Sequence, residues 1–370
     1  MNILINASNL KEGGAIQVAD SICKSLYKYE NHRFVVVLSS SLKQVRKPIE
    51  CHKNVTVFEY DLKQSWKTLL FGRDEYLDNI VSTYNIDSVL TIFGPSGWVP
   101  KCSHLVGFAR AQLLMPDSPY YKRLKLSTLV KEKLYNNILA YFFTRNKPLI
   151  YTENPEISEM FRLKYNYKNI FTVTNYYNQI FDNKENWKEK KLPSFSGYTL
   201  LHISGVCAHK NQVIAIDIAK ILKNKYPKLK FRFVFTFEEK DFVLIPDEIK
   251  NYFTFIGKVN IEECPSLYEQ ADIMFQPTLM ECFTATYPEA MRMKCPIVTT
   301  DLKFAHGLCG DAAYYYSPLS AEAAANAIYK VSTDNELRNK LIIAGINHLK
   351  KYDDYNQRTQ KLIQILETNL

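Results

Sequence analysis

The sequence predicts an α/β protein of two doubly wound parallel-sheet domains facing a cleft. Three observations carry that expectation. Short β-branched or aromatic runs alternate with longer helical patterns along the whole chain, the alternation that builds parallel sheets with covering helices. At 370 residues the chain exceeds what one hydrophobic core ordinarily supports. A charged, aperiodic stretch, NKENWKEKKLPSFSG (183–197), ends in Pro, Ser and Gly and divides the alternation into two series.

The elements follow in order. Strand runs in the first series are NILIN (2–6), FVVVL (34–38), VTVFEY (55–60), SVLTIF (88–93), HLVGFA (104–109), LIYT (149–152) and FTVT (171–174). The second series has TLLHIS (199–204), FRFVFTF (231–237), FTFIG (253–257), DIMFQP (272–277), PIVTT (296–300) and AAYYY (312–316). Domains are therefore expected at 1–182 and 198–350, with 183–197 as the linker and 351–370 as a C-terminal helical segment. Ligands of such sheets bind beyond the carboxyl ends of the strands, so motifs just after strands weigh most.

Composition narrows the class. An apolar fraction of 46% with 13% aromatic residues is ample for packed domains. The eight cysteines show neither a C-x-x-C pair nor a metal-ligand spacing, which favours buried free thiols in a reducing cytosol. MNILINAS runs directly into the first strand, so no signal peptide is expected. The longest apolar runs, FVVVL and NNILAYFF, fall far below the ~20 residues that span a bilayer, which implies a soluble or peripheral protein.

The net charge of +9 is unevenly placed. Residues 1–190 hold 26 Lys or Arg against 18 Asp or Glu, whereas residues 191–370 hold 21 against 20. The densest basic part, YYKRLKLSTLVKEKLYNNILAYFFTRNK (120–147), interleaves lysines with Leu, Tyr and Phe. It reads either as a segment lying on an anionic membrane surface or as a solvated helix packed on its own domain. No nucleic-acid recognition motif accompanies the charge.

Three strand-to-helix loops carry candidate chemistry. After the first strand, Gly13 and Gly14 precede AIQVADSICKSL; a glycine pair there lets backbone approach a phosphate or sugar, or simply makes a turn. In LHISGVCAHKNQ (201–212), Lys210 lies where the next helix starts. A cation there is disfavoured unless an anion such as a diphosphate sits beside it; a solvated lysine is the plain alternative. In LMECFTATYPEAM (279–291), Pro288 must fall in the first turn of its helix. That places Glu281 on the loop above the strand, Glu289 on the first helical turn, and free backbone donors near Phe283 to Ala285. Both carboxylates then reach one ligand, or Glu289 merely complements the helix and Glu281 is solvated.

The eleven residues ECFTATYPEAM resemble the E-x7-E signature of retaining GT-B glycosyltransferases of family four. The order of loops, the preceding LYEQADIMFQPTLMECF, the following KCPIVTTD and the final helix YDDYNQRTQKLIQIL are similar as well. The likeness covers essentially the whole chain and is strongest over 199–317. It implies a GT-B fold of two Rossmann-like domains. The N-terminal one would lie on the acceptor side, the C-terminal one would bind the nucleotide-sugar, and the last helix would pack back on the first domain. It further implies that Glu289 holds ribose hydroxyls and that Glu281 contacts the donor sugar. Cys282, Phe283 and Thr284 line the sugar and phosphate, Gly14 contributes to donor binding, and Lys210 neutralises the leaving diphosphate. Glu281 and Lys210 would be the catalytic pair. No cofactor beyond the nucleoside-diphosphate sugar substrate is implied, and with no D-x-D motif, no metal.

Two departures stand out. Gly205, also in the expected donor loop, occupies the place of an arginine that the family usually has five residues before the lysine. The family's first-domain histidine is absent after HLVGFARAQ (104–112), where Arg110 stands instead. Arg110, Gly13 and Ser96 of FGPSGW are the acceptor-side candidates. The expected activity is transfer of a sugar to a hydroxyl acceptor with retention. A lipid-linked glycan of a bacterial surface polysaccharide is the expected acceptor, used at the cytoplasmic face of the membrane. The rivals are a nucleotide-sugar epimerase and a non-catalytic basic protein, associated with membrane or glycan, that has a degenerate donor site.

Overall fold

The structure, a computed structural model, describes residues 1–370 apart from Glu12 and Gln64. The chain divides into two compact units. One comprises Met1–Leu114, Leu126–Asn175 and Asp353–Leu370; the other comprises Met115–Lys125 and Tyr176–Tyr352.

The first unit holds β1 (Asn2–Ala7), α1 (Gly14–Cys23), β2 (Arg33–Leu38), α2 (Lys43–Glu50), β3 (Val55–Glu59), α3 (Trp66–Phe71), α4 (Glu75–Thr83), β4 (Ser88–Thr91), β5 (Ser103–Gly107), α5 (Leu126–Thr144), β6 (Leu149–Thr152), α6 (Pro155–Tyr165) and β7 (Ile170–Thr172). The second holds β8 (Tyr198–His202), α7 (Ile214–Lys225), β9 (Phe231–Phe235), β10 (Phe253–Phe255), α8 (Cys264–Glu269), β11 (Ile273–Gln276), α9 (Thr286–Arg292), β12 (Ile297–Thr300), α10 (Lys303–Cys309), β13 (Ala313–Tyr316), α11 (Ala321–Thr333) and α12 (Asn335–Leu349). The chain then returns to the first unit with α13 (Tyr355–Thr368). Each run expected as a strand overlaps one.

Both sheets are parallel, in the orders β3-β2-β1-β4-β5-β6-β7 and β10-β9-β8-β11-β12-β13. Helices cover both faces of the first sheet, which is why its strands read as continuous apolar runs. On β1 and β2, Ile3, Ile5, Phe34 and Val36 join a core with α1, α2 and α13. Leu4, Val35 and Val37 face the other way, toward Leu77 and Ile80 of α4. In the second unit Phe231, Phe233 and Phe235 of β9 pack with Ile218 and Leu222 of α7 and Ile328 of α11.

The stretch 183–197, expected as a linker, lies wholly within the second unit. It runs along α8, where Lys188 N donates to Glu262 O at 2.8 Å, Lys190 N to Ser266 Oγ at 2.9 Å and Leu192 N to Gln270 Oε1 at 2.9 Å. Those partners satisfy an extended strap that has no periodicity of its own. The basic segment 120–147 is also divided. Met115–Lys125 belongs to the second unit and α5 to the first. All eight cysteines are free; five are buried, but Cys51 and Cys207 are exposed and Cys102 half-buried, so the expectation of buried thiols fails for those three.

Candidate active site

In each sheet the chain runs outward from the central strand, then returns to build on its other side. Such a reversal leaves an opening beyond the carboxyl ends of the two central strands, here β8 and β11 in the second unit. The loop after β8 carries Lys210 and the loop after β11 carries Glu281.

The two loops are bonded to each other. Leu279 N donates to His209 O at 2.8 Å, and Thr278 Oγ1 donates to both His209 O at 3.3 Å and Glu281 Oε1 at 3.2 Å. Lys210 Nζ forms an ion pair with Glu281 Oε1, their side chains only 16% and 11% exposed. His209 Nε2 lies 3.9 Å from the same oxygen. Lys210 ends a one-turn 3-10 segment, Ala208–Lys210, stopped by Asn211 in a left-handed conformation (φ 54°). The lysine therefore sits four residues before α7 and is aimed by its loop.

The β8 loop is shaped by residues that no motif had marked. His202, fully buried, places Nδ1 3.0 Å from Phe275 O and Nε2 2.8 Å from Ser204 Oγ. Burial pushes its pKa down to about 4, so the ring is neutral. Gln212 Nε2 donates to Gly205 O at 2.8 Å and to Ser204 Oγ at 3.1 Å. Gly205 needs no glycine sterically, since a Cβ there would meet nothing within 4 Å.

Helix α9 begins at Thr286, so Pro288 falls in its first turn and Glu289 follows at once. Glu289 is 5% exposed, and Tyr268 Oη donates to its Oε2 at 3.1 Å. Burial pushes the carboxyl up to about 7, and the tyrosine hydrogen bond opposes that rise. Thr284 is buried, its hydroxyl 2.9 Å from that of Thr286; Cys282 is buried and Phe283 half-buried. Two further contacts come from the excursion out of the first half: Ser118 Oγ donates to Leu279 O at 2.8 Å, and Arg123 donates to Asn211 Oδ1, one residue from Lys210. Tyr268, Ser118 and Arg123 left no sequence signal, because their partners are far along the chain; Gln212 bonds within its own loop and carries no motif. Among the described residues, no group of three or more His, Cys, Asp or Glu could hold a metal ion.

The other candidates lie in the first unit. Gly13 precedes α1 with φ 76°, a conformation that favours glycine, and Gly14 is the first residue of that helix. Asn9 Nδ2 donates to Phe93 O at 2.7 Å, joining this loop to the one after β4 at that sheet's own reversal. Ser96 is buried, with Oγ donating to Trp98 O at 3.3 Å, so its hydroxyl serves the loop. Arg110 is exposed just beyond β5. His104 is instead spent inside the sheet, Nε2 2.8 Å from Thr91 Oγ1, with burial pushing its pKa down to about 3.

Two doubly wound parallel-sheet domains, each with its own switch point, make up the GT-B architecture. Residues 183–348 match the family described as glycosyl transferases group 1. A glycosyltransferase from Rickettsia africae ESF-5 shares the fold with a TM-score of 0.70 at 16% identity, covering 99% of this chain and 97% of that one. Anabaena Alr3699/HepE, solved with UDP and glucose, aligns over 100% of both chains at 16% identity and a TM-score of 0.65. WaaG, a glycosyltransferase involved in lipopolysaccharide biosynthesis, aligns over 99% of both at 15% identity and 0.66. No curated protein matches the sequence.

Proposed function

We propose that the protein transfers a sugar from a nucleoside-diphosphate donor to a hydroxyl acceptor with retention, without a metal or other cofactor. The observation that carries this reading is the Lys210–Glu281 pair, held by two mutually bonded loops, with the buried Glu289 on the helix that follows the second loop. Glu289 accepts hydrogen bonds from the ribose diol. Lys210 turns from Glu281 to the diphosphate, where preorganised positive charge stabilises the departing group. Glu281 faces the donor sugar, and the backbone of Phe283 and Thr284 lines its phosphate side.

The bond from the anomeric carbon to the diphosphate oxygen breaks, and the acceptor oxygen bonds to that carbon on the same face. The acceptor proton passes to the leaving diphosphate, so no covalent enzyme intermediate forms. UDP is the first donor nucleotide to test, given the UDP bound by HepE. The acceptor is a lipid-linked glycan of a bacterial surface polysaccharide, used at the cytoplasmic membrane face; the basic character of 120–147 and the likeness to WaaG support it. Gly13 and Arg110 remain the acceptor-side candidates, whereas the hydroxyl of Ser96 is buried and spent on its own loop.

Thermal unfolding with UDP, GDP, CMP and ADP, on wild type and Glu289→Ala, tests the donor site. Ligand at a hundredfold excess over its Kd stabilises by about 2.7 kcal/mol. One nucleotide that shifts wild type but not the variant supports the reading. No shift with any of them removes it and favours the degenerate-site alternative. Turnover of a nucleotide-sugar to its epimer without acceptor would instead mark an epimerase.

A further inference from the structure

We propose that the outer face of α5 docks on an anionic lipid leaflet, lying in the plane of the headgroups. Leu126, Val130, Leu134, Ile138 and Tyr141 are 77%, 53%, 62%, 54% and 57% exposed. Their spacing of four, four, four and three places them on one stripe of roughly 120° at 100° per residue. The opposite side of the helix holds the buried Leu139 and Phe143, and Phe143 packs edge-on against Phe108 with ring centroids 4.9 Å apart. The helix is thus apolar on two faces and needs a partner for the outer one, because soluble proteins rarely leave such a continuous stripe in water.

The charges select that partner. Lys131 and Lys133, both exposed, border the stripe on its two sides, where their stems cover apolar surface and their ammonium groups reach phosphates. The helix's one acidic residue, Glu132, points inward, its Oε2 shielded from solvent. Over 126–147 there are four Lys or Arg, namely Lys131, Lys133, Arg145 and Lys147, against that single acid. A second copy pairing stripe to stripe would bring lysines onto lysines with no carboxylate between them, whereas an anionic leaflet meets them with opposite charge.

The surface extends past the helix end. Arg145 donates to Leu69 O at 2.8 Å and Thr68 O at 3.1 Å, tying α5 to α3, where Leu70 is 67% exposed. No helix among the described residues is long and apolar enough to cross a membrane, so the binding is interfacial. The docking element is α5, and not Lys122, Arg123 and Lys125, which belong to the other unit.

The inference rests on the membrane-side transferase reading for its purpose, and the experiment separates the two. Purified protein is sedimented with phosphatidylcholine vesicles, with and without phosphatidylglycerol. Wild type binds the anionic vesicles. Leu134→Glu/Ile138→Glu and Lys131→Gln/Lys133→Gln each lower partitioning about tenfold or more, while Tyr135→Ser, outside the stripe, keeps it. Failure of wild type to sediment, or equal loss in the Tyr135 variant, overturns the proposal. So does a dimer in solution that Leu134→Glu/Ile138→Glu splits. The nucleotide-induced thermal shift is read on every variant as the check of folding. A missing shift in wild type counts against the transferase reading alone.

Discussion

Glu289, 5% exposed beneath Tyr268, has its pKa pushed up to about 7 from an ordinary 4.5 by burial. Between those two pH values the folded protein keeps a proton that the unfolded chain has released. Stability contributed by this group is therefore present below about pH 4.5 and lost as pH rises through 7, by about 3 kcal/mol at most. Glu289→Gln should flatten part of that slope in pH-dependent urea unfolding and raise stability at pH 8. Glu153, also pushed up to about 7 by burial, leaves a residual slope of the same sign. Nucleotide affinity should rise through neutral pH in wild type, as the carboxylate forms, but not in the glutamine variant. Tyr268→Phe removes the donor holding the carboxylate and should weaken nucleotide binding about fivefold, read by calorimetry, with little change in saturated turnover. Lys210→Ala should lower kcat about a hundredfold or more in a donor-turnover assay. Lys210, Glu281 and Glu289 were legible in the sequence because strand, loop and helix fix their places locally. Tyr268 and Ser118 were not, because only packing across the sheet brings them to the site.

Helix α13 shows an element held from both ends of the chain. Its Asp354 accepts from the amides of Asn356 and Gln357 at 2.8 Å each, and Gln357 returns a bond to Asp354 N at 3.0 Å. Leu362, Ile363 and Leu366 then enter the core built on β1 and β2. Thr359 Oγ1 lies 2.9 Å from Ser25 Oγ, and Arg358 Nη2 donates to Ser21 Oγ at 2.8 Å. Asp354→Ala should cost about 1 kcal/mol and Leu362→Ala about 2–5 kcal/mol in urea unfolding, the larger loss marking α13 as core. Strand positions were readable from apolar runs, since a sheet covered on both faces leaves little room for polar residues. The 183–197 strap was misread because a solvated linker and an extended strap bonded to α8 share the same polar composition.

At the scale of the molecule, the units are not consecutive halves. The chain passes between them after Leu114, Lys125, Asn175 and Tyr352. No local pattern announces those passages, whereas the presence of two sheets was plain from the doubled alternation of strands and helices. Deleting Asp353–Leu370 should strip the first unit of the three α13 core residues and convert it to a loosely packed state. Near-ultraviolet circular dichroism would then fall while a nucleotide-induced shift, carried by the second unit, survives. The same threading sets an order of events on the ribosome. Residues 176–352 emerge as an uninterrupted block whose excursion partner, 115–125, is already made, so that unit can mature during synthesis. The N-terminal unit, although its strands are translated earlier, must wait with an unfilled groove beside α1 over β4 and β5 until α13 is released. Until then its apolar surface is a target for chaperones, and the slow step of biogenesis belongs to the part of the protein that was started earliest.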